Sequence, residues 1–108
     1  MSHDPHKATD YIIASAGKFS KAKAQRVFLE EFRKSKKALL MAQSTADAAN
    51  AREQFAYAHP EYIELLEGLR EAVEVEEKLR WDLIAAQARV EVWRTEQANN
   101  RRQDRATT

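Results

Sequence analysis

The chain has 108 residues, 44% hydrophobic and 32% charged, with no Cys, two Gly and two Pro. That length supports one domain, and so few turn residues exclude sandwiches and barrels. The absence of Cys excludes disulfide scaffolds, thiolate zinc sites and cysteine nucleophiles, and points to a reducing, cytoplasmic setting.

In chain order, residues 1–9 are polar, contain Pro5 and carry no secretory signal, so they are expected to be a disordered tail. Asp10 fits the N-cap of a short helix holding Tyr11, Ile12 and Ile13 and ending near Gly17. Ser20 fits the N-cap of a long helix to about Tyr57, a stretch free of Gly and Pro in which Ser44-Thr45 is a weak spot. His59-Pro60-Glu61 is the strong break. Proline disfavours helical backbone before it and suits the first position of the next helix. That helix is expected from Pro60 to about Ala98, and residues 99–108 to form a fraying basic tail. Gly68 lies inside it at a cost of ~1 kcal/mol relative to Ala, which close approach of another helix would explain.

Alternate steps of three and four from Tyr62 meet Leu65, Leu69, Ala72, Glu76, Leu79, Leu83, Ala86, Val90 and Trp93. This is a heptad seam with one polar member. The first long helix offers Phe28, Phe32, Ser35, Leu39, Ala42, Ala46 and Ala49 in reply. The predicted fold is therefore all-α: a long antiparallel, coiled-coil-like hairpin over residues 10–98, with a short N-terminal helix. A second apolar stripe, Ile63, Leu66, Val73, Trp81, Ile84 and Ala88, exceeds what one hairpin partner covers. It predicts a homo-oligomer, most simply a dimeric four-helix bundle with Ile63, Leu66, Val73, Trp81 and Ile84 in the interface. Counting back from the break sets Glu76 near Met41 and Ala42, where no cation waits. A polar seam residue of this kind sets pairing and oligomer state.

Little in the chain suggests chemistry. His3, His6 and His59 form no His-Glu-x-x-His or Glu-x-x-His pattern, so neither a metal nor any other cofactor is expected. Glu64, Glu67, Glu71 and Glu74 share one stripe. It reads as a solvated face or as a docking strip for a basic partner, and not as a catalytic cleft. The net charge is only +1, but residues 1–52 carry ten Lys/Arg against five Asp/Glu, and residues 53–108 eight against twelve. Lys18, Lys21, Lys23, Arg26, Arg33, Lys34, Lys36 and Lys37 make a basic segment broken only by Glu30 and Glu31. In a hairpin closed at His59, Arg94, Arg101, Arg102 and Arg105 would return beside it. Such an end would hold phosphates without base specificity, with Phe19 as a stacking platform and Phe28 and Phe32 in the core.

The segments KAQRVFLEEFRKSKKALLM and AREQFAYAHPEYIELLEGLREAVEVEEKLRWDLIAAQARVEVWR resemble small helical proteins of tailed phages and prophages, encoded near recombination and replication genes. The resemblance implies a non-enzymatic accessory role in DNA metabolism within the bacterial cytoplasm, with single- or double-stranded DNA as partner. The alternative is a protein–protein interaction module, such as an inhibitor or scaffold acting on a host or phage protein. No membrane partner is expected, since no run approaches the roughly 20 apolar residues of a span.

Overall fold

Asp4 opens the first helix in the computed structural model, which describes residues 4–107. Its carboxylate accepts hydrogen bonds from the backbone N–H groups of His6 and Lys7, and Pro5 takes the first helical position. The chain then forms three helices: α1 (Pro5–Gln43), α2 (Ala49–Ala58) and α3 (Pro60–Thr107). No strand occurs among the described residues.

Four boundaries differ from expectation. The segment around Asp10 and Ser20 is continuous helix, so no separate N-terminal helix exists, and residues 5–9 are helical rather than a tail. Residues 99–107 continue α3. The long first helix breaks at Ser44-Thr45, and the short helix of the fold is α2, after that break. The reason is local: the Ser44 hydroxyl accepts from the Ala46 N–H, and the Arg52 guanidinium donates to the Ala46 carbonyl at 2.6 Å. Side chains that bond nearby backbone draw it away from the helix ladder. The break at His59 stands as expected. Its backbone is extended, its N–H donates to the Ala56 carbonyl, and its ring Nδ1 accepts from the Glu61 N–H.

The chain divides into two compact units, Ser20–Glu76 and Met1–Phe19 with Glu77–Thr108. In the first, α1 and α3 run antiparallel, with α2 packed where they meet. Leu40, Ala56 and Tyr62, one residue from each helix, form its buried core, and Met41 packs against them. The small Ala56 lets α2 approach Leu40, and Tyr57 meets Tyr62 edge-on at 5.3 Å. In the second unit the buried residues are Ala8, Ser15 and Ala86.

The α3 seam is the expected one as far as Val90: Tyr62, Glu76 and Ala86 are buried, and Leu65, Leu69, Ala72, Leu79, Leu83 and Val90 are half-buried, whereas Trp93, its expected last member, is exposed. The α1 seam is not. The residues turned inward are Ala8, Ile12, Ser15, Phe19, Ala22, Arg26, Leu29, Arg33, Lys36 and Leu40, while Phe28, Phe32, Ser35, Leu39 and Ala42 are exposed. Glu76 supplies the physical reason. A nearly buried carboxylate needs a cation, and the face carrying Arg26 provides one. The aliphatic stems of Arg26, Arg33 and Lys36 fill the rest of that face while their charged heads reach its edges.

Candidate interaction surfaces

Glu76, only 7% exposed, is held by two hydrogen bonds from Arg26, Nε at 2.6 Å and Nη2 at 3.0 Å. The expected neighbours Met41 and Ala42 are not its partners. Because the break falls at Ser44 and α2 occupies the turn, the residue opposite Glu76 lies much earlier in α1. Arg26 also reaches Glu30 at 3.0 Å, and these carboxylates, Glu76 foremost, hold its guanidinium charge well above its ordinary range.

The expected basic surface is largely neutralised by such pairs. Lys34 meets Glu31, Lys36 meets Glu61 at 3.0 Å, and Lys37 meets Glu53 at 2.7 Å while lying over the Tyr57 ring. With Arg26, four of the eight cations named from the sequence are thus engaged. Donating a hydrogen bond to Glu53 holds the Lys37 ammonium above its usual range, and accepting one from Lys36 holds the Glu61 carboxyl below its own. Lys18, Lys21, Lys23 and Arg33 make no ion pair among the described residues. Arg33, Lys34 and Lys37 nevertheless surround one hollow of about 390 Å³ with Tyr57 and Tyr62.

In the other unit, Tyr11 lies beside Asp82, Ala85, Ala86 and Arg89. Lys78, and then Tyr11, hold the Asp82 carboxyl below its usual range. Each step along α3 beyond Arg89 is a step toward the start of α1, so Arg101 and Arg102 run past Pro5 and do not return beside Lys18. From Glu91 to Ala106 every residue but Ala98 is exposed. Phe19 is half-buried, so the stacking platform named from the sequence is not free. Phe28 is 59% exposed and stacks on Phe32 with centroids 5.7 Å apart.

Two apolar surfaces remain, and sequence reasoning found only one. The expected interface residues Ile63, Leu66 and Val73 are all exposed in the Ser20–Glu76 unit; Trp81 and Ile84 are exposed in the other, with the Arg80 guanidinium over the Trp81 ring at 5.2 Å. The surface that was missed is a trough between α1 and α3 on the opposite flank of α3. One hollow of about 390 Å³ is lined by Ala22, Gln25, Leu29, Gly68, Ala72 and Val75, with Glu71 at its edge. A second of about 360 Å³ continues it past Gly68 along Phe32, Lys36, Leu65 and Glu64. A Cβ on Gly68 would meet nothing within 4 Å, so no close helix approach within the chain accounts for this glycine.

No group of His, Asp and Glu able to hold a metal ion occurs among the described residues, and no helix is long and apolar enough to cross a membrane. No family model, no curated protein and no solved structure matches the chain.

Proposed function

We propose that the chain is a non-enzymatic, oligomeric interaction protein that works through helical protein–protein contacts, and that its first partner is a second copy of itself. The supporting observation is scant apolar burial: among the described residues Leu40 and Tyr62 are the only buried apolar residues larger than Ala, while Ile63, Leu66 and Val73 stay exposed in the Ser20–Glu76 unit and Trp81 and Ile84 in the other. Helices that leave so much apolar side chain uncovered gain stability by association. A closed two-fold dimer covers such a stripe without leaving a free end.

Light scattering tests this reading. The unaltered chain is expected at a multiple of 12.4 kDa at micromolar concentration. Ile63→Glu with Trp81→Glu is expected to return it to monomer mass with helicity retained. A monomer mass for the unaltered chain would overturn it.

A second reading, contact with single-stranded nucleic acid, is favoured by the hollow that gathers Arg33, Lys34, Lys37, Tyr57 and Tyr62. Cations around aromatic rings suit a phosphate next to a stacked base, as the expected role in phage DNA metabolism would require. Reversing Lys34, Lys36 and Lys37 would also break the pairs with Glu31, Glu61 and Glu53, so Arg33→Glu is the cleaner probe. On labelled oligothymidine at low salt, it is expected to weaken binding about tenfold. Equal anisotropy curves for the two proteins, or no binding at all, would remove this reading.

A further inference from the structure

The trough at Gly68 is mainly apolar on its α1 side and acidic on its α3 side, with Lys36 at one end already paired to Glu61. On α1 stand Phe28 and Phe32, stacked and exposed, with Leu29 below them. On α3 stand Glu64 and Glu71, with Glu67 and Glu74 continuing the strip outward. None of these four makes an ion pair among the described residues. Like charges three and four residues apart repel along a helix, and Arg70 is the one cation set between Glu67 and Glu74. Gly68 weakens α3 in its third turn, and a Cβ there would meet nothing within 4 Å. Two unfavourable features therefore coincide at one empty trough. A partner that fills the space and neutralises the strip resolves both.

We propose that this trough receives an amphipathic helix of another protein, one whose apolar stripe is flanked by Lys or Arg. The apolar side would lie over Gly68 between Ala22, Leu29, Ala72 and Val75, against the Phe28–Phe32 stack. The basic flank would face Glu64 and Glu71. Charge excludes the phosphate backbone of a nucleic acid from this side. The trough lies on the flank of α3 away from Ile63 and Leu66, so it stands apart from the dimer surface proposed above. A dimer assembled there leaves the trough open.

The test uses the full chain and a fluorescein-labelled helical peptide of Leu and Lys in heptad pattern, with two controls. One control has Glu in place of Lys, and the other is a scramble that breaks the apolar stripe. Anisotropy is expected to show micromolar binding of the Lys peptide and at least tenfold weaker binding of both controls. Gly68→Leu sets a side chain into the trough at a position where a Cβ would meet nothing within 4 Å, and is expected to abolish binding while helicity and melting temperature are retained. Should Leu at that position disturb the fold, Gly68→Ala with Glu64→Lys and Glu71→Lys serves in its place, with the same loss expected. Equal binding by the filled and unfilled proteins would overturn the proposal, as would equal binding of the scramble or none of the Lys peptide. A change in the mass of the chain on filling the trough, without peptide, would assign the surface to a second copy and likewise overturn it.

Discussion

Arg26→Met is expected to lower the melting temperature by on the order of 10 °C, followed by circular dichroism at fixed protein concentration. The size comes from what is left behind. Glu76 is 7% exposed and accepts two side-chain hydrogen bonds from Arg26. Without that guanidinium, a nearly buried carboxylate between two helices loses two charge-assisted hydrogen bonds that water cannot fully replace. An exposed pair such as Lys34 with Glu31 has no comparable consequence, because water replaces the lost partner. The complementary variant separates the two contributions. Arg26→Leu combined with Glu76→Leu removes both charges from a heptad seam and is expected to melt at or above the unaltered protein, since a buried pair rarely outweighs well-packed apolar groups. A single Arg26→Met variant that melts with the unaltered protein would mean that Glu76 is solvated in solution.

Leu40→Ala is expected to cost about 2–5 kcal/mol, read from urea unfolding, while Leu39→Ala shifts stability by less than about 0.5 kcal/mol. These neighbours differ only in direction. Leu40 is fully enclosed by Ala56 and Tyr62, and Leu39 is 58% exposed. The cavity left at Leu40 would lie where all three helices meet, and Ala56 is too small to collapse into it. Comparable losses at both positions would mean that the inward face of α1 is the one carrying Phe28, Phe32 and Leu39.

That contrast also marks where the sequence is legible. The α3 seam from Tyr62 to Val90 is readable because its period is unbroken and its members are mostly Leu and Ala. The stop at His59 is readable because Pro60 acts through local sterics alone. The α1 face is not readable by counting apolar residues. Its inward positions include Arg26, Arg33 and Lys36, chosen by a carboxylate that lies fifty residues on from Arg26. The break at Ser44 depends on an arginine from the next helix donating to the Ala46 carbonyl, which propensity over a short window does not contain. Missing that break misplaced the partner of Glu76. It also hid the trough, since only the true pairing sets Leu29 and Phe32 across from Gly68.

Arg33 stands one heptad after Arg26 on the same inward face. A slide of α1 by seven residues would therefore offer Glu76 a second guanidinium, and electrostatics alone leaves the hairpin with two near-degenerate registers. The Leu40–Ala56–Tyr62 junction breaks that degeneracy, because the slide would draw Ser44–Ala48 into the seam and dissolve the contact among the three helices. The turn, and not the ion pair, is then what gives the folding landscape a single minimum. Leu40 therefore guards the alignment of the two helices as well as their stability.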